Sequence, residues 1–261
     1  MKKVFLTLMA ACMAMGVMAV ERPKQGFGVQ IGWAQPIIRL NSPYTDYPKD
    51  SLANTVRLKG FKVGVVYDAS YVAGFGSSIG INYTFGASQG KWEPLYPNNQ
   101  YPRSRMLITY HQAEIFVDWQ YKFEIAKETY LMLYTGPTIQ YGIGFKMRFD
   151  SQTWDPKTDE ITTEHGEWYN AYGNNSGENT PKKLQEIEDN NTLRHLNVTW
   201  GVGAGFQYKR YFLRGGYDFG LINPYKHQQF VNQSGDTYDR YTRGRLDQWQ
   251  IKLGVYIWYK E

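Results

Sequence analysis

Apolar and polar residues alternate one by one along most of this chain, and the alternation recurs in stretch after stretch. In residues 26–34 every second position is a large apolar side chain, with glycine or glutamine between most of them. Side chains of a β-strand point alternately to its two faces, so the pattern predicts a strand with one apolar and one polar, glycine-rich face. The same pattern occurs near residues 26–34, 58–67, 78–85, 107–123, 130–148, 196–208, 211–223 and 248–258.

The connections between these eight predicted strands alternate in length. Short links follow the second, fourth and sixth strands, and long polar segments follow the others, at residues 41–56, 87–105, 150–195 and 224–244. This arrangement predicts an all-β fold, an eight-stranded antiparallel up-and-down transmembrane β-barrel with short periplasmic turns and long extracellular loops. A soluble lipocalin-like barrel is the alternative, but it explains the charged, glycine-rich second face poorly.

The N-terminus has the layout of a signal peptide. Lys2 and Lys3 precede an apolar stretch at residues 4–16, and the small residues of 17–19 predict cleavage after Ala19. Residues 1–19 are therefore a predicted signal peptide, and residues 20–261 are one outer-membrane β-barrel domain. An uncleaved membrane anchor and a lipoprotein cleaved before Cys12 are the alternatives.

Composition excludes several kinds of site. Cys12 is the only cysteine and lies in the predicted signal peptide, so the mature chain has no disulfide and no thiolate nucleophile. Removing Lys2 and Lys3 from the formal charge of +5 leaves +3, too little to predict a nucleic-acid partner. The mean hydropathy is −0.54, and the aromatic fraction of 16% is typical of barrels with aromatic girdles at both interfaces.

Four segments resemble a known family. LKGFKVGVVYD (residues 58–68), EIFVDWQYKF (114–123), TGPTIQYG (135–142) and KRYFLRGGYDFGLIN (209–223) are similar to the outer-membrane β-barrel proteins called porin family or PorT-like. The resemblance covers nearly the whole mature chain. It implies a small eight-stranded barrel with no shared catalytic residues. Barrels usually finish on an aromatic residue, whereas here Lys260 and Glu261 follow Tyr259.

Six charged residues fall on the predicted inner face of the barrel. An eight-stranded barrel is just wide enough for side chains to fill it, so we expect a lumen network of ion pairs. A path for ions or solutes is the alternative interpretation. The six are Lys62, Glu114, Asp118, Arg214, Asp218 and Lys252.

Basic residues recur where the outer strand ends meet the loops. Arginine forks match phosphate, so we expect Arg103, Arg105, Arg243 and Arg245 to contact lipid A phosphates of the outer leaflet. Solubility or snorkelling at the interface would explain the same pattern. The full predicted rim is Arg39, Arg57, Lys59, Arg103, Arg105, Lys146, Arg148, Arg194, Arg243 and Arg245.

The longest predicted loop, residues 150–195, is rich in aromatic residues, unlike disordered segments. Trp154, Trp168, Tyr169 and Tyr172 are expected to form either a small core over the barrel mouth or an exposed platform for a glycan or protein. Within the same loop, residues 180–189 predict a short helix that begins at Pro181.

Two groups of residues could indicate a catalytic site or a metal site. His111 with Ser104, and His227 with Ser234 and Asp236, loosely resemble a hydrolytic triad, but spacing alone fixes no geometry. The acidic residues of 150–160 lack the register of a calcium loop and are expected to be solvated. The sequence therefore predicts no catalytic residues, no metal site and no cofactor.

Taken together, the patterns predict a non-enzymatic, monomeric protein of the cell outer membrane that presents surface loops for envelope integrity or partner binding. The expected partners are outer-membrane lipids and lipopolysaccharide, together with a surface glycan or protein. A narrow solute channel, a lipid A-modifying enzyme and an accessory of a secretion system remain the alternatives.

Overall fold

The described part of the chain is built from strands. A computed structural model describes residues 25–41, 55–72, 74–94, 101–173, 193–226, 228–231, 237–240 and 243–260. The strands are β1 (Gln25–Asn41), β2 (Thr55–Arg57), β3 (Lys59–Val72), β4 (Phe75–Gln89), β5 (Glu93–Pro94), β6 (Arg103–Ala126), β7 (Thr129–Asp155), β8 (Glu160–His165), β9 (Tyr169–Asn170), β10 (Leu196–Tyr208), β11 (Tyr211–Gly220), β12 (Gln228–Val231), β13 (Thr237–Arg240) and β14 (Arg243–Lys260). Among these residues, no helix is long and apolar enough to span a membrane.

Eight long strands close into a ring. Each pairs antiparallel with its neighbour in the order β1-β3-β4-β6-β7-β10-β11-β14, and β14 pairs with β1. The short strands β2, β5, β8 and β9 add to this sheet, and β12 pairs with β13 separately. The predicted eight-stranded antiparallel barrel is confirmed.

Several predicted boundaries were wrong. The second strand, predicted to end at residue 67, runs on to Val72, and the seventh ends at Gly220 rather than at residue 223. The loop expected from residue 150 begins later, because β7 continues to Asp155 and β8 returns along it. Residues 68–72, 150–155 and 160–165 belong to the sheet because they form its ladder hydrogen bonds, although their composition is typical of turns and loops.

The two faces of the barrel differ as the alternation predicts. On β6, Ile115, Trp119 and Phe123 point outward and are 50%, 45% and 43% exposed, whereas Glu114 and Asp118 between them are buried inside. A soluble barrel would place its apolar side chains inside. The exposed apolar belt therefore needs an apolar surrounding, which argues against the lipocalin-like alternative.

The two ends of the barrel are unequal. Tight turns join β3 to β4, β6 to β7 and β10 to β11 at one end, where β1 begins and β14 ends. Glu128 and Lys209 adopt positive φ angles of 58° and 53° in two of these turns. At the other end, β6 and β7 rise past their neighbours and pair with β5 and β8. We call this extension, residues 92–94, 101–109 and 146–168, the raised wall.

Candidate functional site

The interior of the barrel holds charged side chains in mutual contact. Glu114 accepts hydrogen bonds from Lys62 at 2.5 Å, Thr84 at 3.0 Å and Gln248 at 3.1 Å, and all four residues are buried. The Lys62 ammonium also donates to the Gln250 amide oxygen at 2.8 Å. This upper network links β3, β4, β6 and β14 across the lumen.

A lower network lies nearer the tight turns and is centred on Asp68. This carboxylate accepts hydrogen bonds from Lys122 at 2.8 Å and from Arg214 at 3.2 Å, and also from Tyr256. The Arg214 guanidinium donates to Ser78 at 2.7 Å and lies 5.2 Å from the centre of the Phe212 ring. Hydrogen bonds between ionised groups are stronger than neutral ones, so they can stabilise buried charges that are not hydrated.

The structure places all six predicted lumen residues inside the barrel, in several contact groups. Lys62 and Glu114 pair directly, Asp218 accepts from Gln250 at 2.8 Å, and Lys252 lies 4.8 Å from the centre of the Phe116 ring. Asp118 is also buried. Sequence reasoning missed Asp68 and Lys122, which bring these buried groups to four cations and four carboxylates: Lys62, Lys122, Arg214 and Lys252 with Asp68, Glu114, Asp118 and Asp218.

Aromatic side chains fill much of the remaining lumen. Tyr134 occupies space that Gly203 and Gly216 leave open, since a Cβ at either glycine would lie 2.3 Å or 2.6 Å from its ring or hydroxyl. Near the raised end, a cavity of about 10 Å³ is bounded by Tyr110, Phe145 and Tyr172 among others. That is the room of about one water molecule.

An apolar cap closes the raised end of the lumen. Ala171, Tyr172 and Leu193 fold inward onto a cluster that includes Tyr110 and Phe145. The Ala171 amide donates to the Phe145 carbonyl at 2.8 Å, and the Leu193 amide donates to the Ala171 carbonyl at 3.2 Å. Backbone bonds therefore hold the cap to the barrel wall.

His195 is packed at the edge of this cap. Its ring stacks between Tyr172 at 4.7 Å and Tyr141 at 5.3 Å between ring centres. Its Nδ1 lies 2.7 Å from the Gly142 carbonyl oxygen, which can only accept, so Nδ1 carries a proton. The histidine thus fixes where the segment before β10 meets β7.

The four aromatic residues of the predicted loop lie in different places. Tyr172 is in the cap, and Tyr169 packs against the cap cluster. Trp154 and Trp168 are 45% and 44% exposed on the raised wall, and the Trp154 indole donates to Asp159 at 3.0 Å. They therefore do not form one platform. The helix predicted from Pro181 lies outside the described residues.

Asp150 is the centre of a cationic cluster on the raised wall. Its carboxylate is fully buried and lies 3.0 Å from Arg105, 2.9 Å from Arg148 and 3.1 Å from His165. Burial pushes the pKa of Asp150 upward, but bonds from His165 and Arg105 and the charge of Arg148 outweigh it and lower the pKa. The expectation that this carboxylate is solvated was wrong, because the strand places it beneath its cationic neighbours.

Asp247 on β14 forms a second cluster on the opposite side of the barrel, three strands away from Asp150 on β7. Its buried carboxylate lies 2.9 Å from Arg39 and 3.3 Å from Arg245. Tyr217 donates to it at 2.8 Å, and the Gly220 amide donates at 2.9 Å. Parity places Asp247 on the outward face with Trp249, so a carboxylate on the outer surface has been buried by its own partners.

The predicted rim is therefore divided between two sites. Arg105 belongs to the Asp150 cluster and Arg245 to the Asp247 cluster, while Arg103 lies 4.8 Å from the centre of the Tyr101 ring. Arg243 is in β14, and its side chain lies outside the described part. Sequence reasoning missed both carboxylates as organisers of these arginines.

The geometry brings together no hydrolytic triad in the described residues. Ser104 and His111 lie seven residues apart on β6, a separation of roughly 23 Å, on opposite faces. The His111 Nδ1 contacts the Tyr83 hydroxyl at 2.5 Å instead. His227, Ser234 and Asp236 are not described, and the described residues contain no group of three or more acidic, histidine or cysteine side chains that could hold a metal ion.

Known proteins give only distant likenesses. No protein-family model and no curated protein matches the chain. Among solved structures, Ail, the attachment invasion locus protein of Yersinia pestis, in complex with the heparin analogue sucrose octasulfate, is 10% identical, over 90% of this chain and 99% of that one, with a TM-score of 0.37. Neisserial surface protein A is 9% identical over 90% and 99%, with a TM-score of 0.35.

The N-terminal β-barrel domain of Pseudomonas aeruginosa OprF is 8% identical over 89% of this chain and 99% of that one, with a TM-score of 0.26. These structures are outer-membrane β-barrel proteins. At such TM-scores the barrel assignment depends on the strand pairing of this chain and not on these likenesses.

Proposed function

We propose that this chain is a non-enzymatic outer-membrane β-barrel whose filled lumen makes it an anchor, and whose raised wall is displayed to the outside for envelope integrity or partner binding. The observation that carries the proposal is the reversed distribution of polarity. Apolar side chains are exposed around the whole barrel, while eight charged side chains are buried inside it. Lipid is the surrounding in which this distribution is favourable.

The filled lumen favours an anchor over a solute channel. The charged networks span the ring, and the apolar cap covers them at the raised end. A conducting pore would need a continuous water-filled path, and buried charges would then be solvated rather than paired with one another. The function is therefore carried by the raised wall, which projects above the membrane, and not by the lumen.

Arg39 and Arg245 support a more specific contact with the outer leaflet. Asp247 lies two residues before the outward-facing Trp249 on β14, roughly 5 Å farther along the barrel axis, where aromatic girdles meet headgroups. Lipid A phosphates at this level would meet two arginines already oriented by a carboxylate. Arg243 is part of this proposal, because it lies two residues beyond Arg245 at the outer end of the same strand.

Residue-specific labelling tests the proposed orientation. The only cysteine, Cys12, lies in the predicted signal peptide, so single substitutions in the barrel report single positions once that peptide is removed. Lys157→Cys, at the tip of the β7–β8 hairpin, should react with a membrane-impermeant maleimide in intact cells. Lys127→Cys, in the turn between β6 and β7, should react only after the outer membrane is opened.

The two labelling variants control for each other, since both replace an exposed lysine in a turn. Reaction at position 127 in intact cells with protection at position 157 would reverse the orientation. Recovery of the folded protein in the soluble fraction would contradict the membrane assignment itself. An accessory role in secretion would appear as a secretion component that co-purifies with the wild-type chain.

A further inference from the structure

The raised wall carries three arginines that each lie over an aromatic ring. Arg103 is 4.8 Å from the centre of the Tyr101 ring, Arg105 is 4.5 Å from that of Trp92, and Arg148 is 5.0 Å from that of Trp168. Trp92 precedes β5, and Trp168 precedes β9. Rings from three separate segments thus meet arginines of two adjacent strands.

The strand register places these arginines on one face. Arg105 pairs with Asp150, and Leu107 pairs with Arg148, so Arg105, Arg148 and Asp150 point the same way. Arg103 lies two residues from Arg105 and shares that face. Lys146, two residues before Arg148, shares it too, so this face carries more cations than carboxylates.

Asp150 orients two of the arginines without neutralising them both. Its carboxylate accepts hydrogen bonds from Nε and Nη2 of Arg105 and forms an ion pair with Nε of Arg148 at 2.9 Å. The Arg105 and Arg148 side chains remain 20% and 22% exposed. An anion that approaches the wall therefore meets donors whose orientation is already fixed. Pre-orientation lowers the entropic cost of binding.

A hollow lies beside the arginines on the same outward face. It has a volume of about 240 Å³ and is bounded by residues 87–89, 107–109 and Trp168. The apolar face of an indole is a usual surface for a sugar ring, and arginine forks bind phosphate. Cations, stacked aromatic rings and a sugar-sized hollow thus occur together.

The height of this site distinguishes it from the Asp247 cluster. Arg105 lies six residues before His111 on β6, and the His111 ring packs against Phe85 at 4.8 Å in the outward-facing belt. At about 3.3 Å per residue and a tilt of about 40°, Arg105 lies roughly 15 Å higher than His111. That level is above the lipid A phosphates and within the saccharide layer of the outer leaflet.

We infer that the outward face of the raised wall, built from Arg103, Arg105 and Arg148 with Trp92, Tyr101 and Trp168, binds phosphorylated sugars of the lipopolysaccharide that surrounds the barrel. Asp150 is a positioning residue for this site. The inference rests on the proposed membrane function, because only an inserted barrel brings the wall to that layer. It adds a saccharide contact to the proposed phosphate contact near the membrane surface.

Binding of labelled lipopolysaccharide to the full chain in detergent micelles tests the inference. The double variant Arg105→Lys/Arg148→Lys keeps both charges but loses the forks and the flat stacking surface. We expect its affinity to fall by roughly 10- to 100-fold, the effect of losing charge-assisted bonds. Lys157→Ala, which removes a cation from the hairpin tip, is the matched control and should stay within twofold.

Further probes identify what is recognised. Lipopolysaccharide stripped of its phosphates and micelles that contain phosphatidylglycerol should both bind far more weakly than intact lipopolysaccharide. Equal binding of the stripped form would overturn phosphate recognition. Equal binding of phosphatidylglycerol, or equal losses in the double variant and Lys157→Ala, would show that the wall attracts any anion by charge alone. Either result would overturn the inference. Equal affinity for the released, lipid-free saccharide would overturn the assignment to the surrounding leaflet.

Trp168→Ala separates stacking from charge, because it removes a ring beneath Arg148 and leaves every cation in place. We expect a severalfold loss of affinity with an unchanged gel mobility of the folded barrel; full affinity would contradict a role for the ring. Labelling at position 157 in intact cells distinguishes the two proposals. Correct labelling without lipopolysaccharide binding would refute only this inference, whereas wrong labelling would refute the membrane function.

Discussion

Glu114→Gln should destabilise the barrel by about 3–5 kcal/mol, because it removes one partner of a buried ion pair. The fully buried Lys62 ammonium would lose its counter-charge and would have only neutral amide oxygens as acceptors, among them the Gln250 oxygen at 2.8 Å. The new amide would also face donors from Thr84 and Gln248, which the carboxylate oxygens accept at present. One lost charge-assisted bond accounts for about 1.5–3 kcal/mol, and the unpaired buried charge supplies the rest.

Denaturant unfolding in detergent micelles, followed by tryptophan fluorescence and by the gel mobility of the folded barrel, measures this effect. Lys62→Met combined with Glu114→Gln should recover most of the loss, because no buried charge is then left alone. Lys59→Met, on the same strand but exposed, should change stability by less than about 0.5 kcal/mol. A loss below about 1 kcal/mol for Glu114→Gln would show that water solvates the lumen, and would refute the dry network.

Three further predictions concern the raised end and the N-terminus. The pKa of Asp150 is lower in the folded protein than in the unfolded chain. The ionised carboxylate therefore contributes its full stabilisation of the fold above about pH 4, the usual pKa of a free aspartate. This contribution is lost as the pH falls through the pKa that Asp150 has in the folded protein. Asp150→Asn should flatten the pH dependence of unfolding in that acid range, and an unchanged dependence would contradict the cluster. Tyr172→Ala should cost about 3–5 kcal/mol locally and speed hydrogen exchange at residues 169–173. Tyr172→Phe loses only the hydroxyl contact with Tyr110 and should have a much smaller effect, so equal exchange in both variants would mean that the ring does not hold the cap. The mass of the exported chain should correspond to residues 20–261, and a retained Cys12 with a lipid adduct would show a lipoprotein instead.

Alternation predicted the strands that cross the apolar belt because one face of each meets an apolar surrounding and the other meets the lumen. The same rule placed Glu114 and Arg214 inside the barrel. It failed above the belt, at residues 149–155, where hydrophobic periodicity disappears. The extension of β7 beyond the predicted strand end at residue 148, and its pairing with β8, therefore left no periodic signal in the sequence.

The contacts within the sites were not predictable from spacing. Asp68 is followed by residues typical of turns, and its partners Lys122 and Arg214 lie 54 and 146 residues away. Parity assigns Asp150 and Asp247 to the outward face, where an isolated charge is expected to be solvated. Their burial depends on arginines from neighbouring strands, which only the register of the closed barrel brings together.

Conductance of the full mature chain in a planar lipid bilayer tests the central claim most directly. A barrel with a filled lumen and a closed cap should insert without stable, uniform current steps across the applied voltages. Insertion would be verified by the gel mobility of the folded protein recovered from the same membranes. Reproducible single-channel steps from the wild-type chain would contradict the closed lumen and identify the protein as a solute channel.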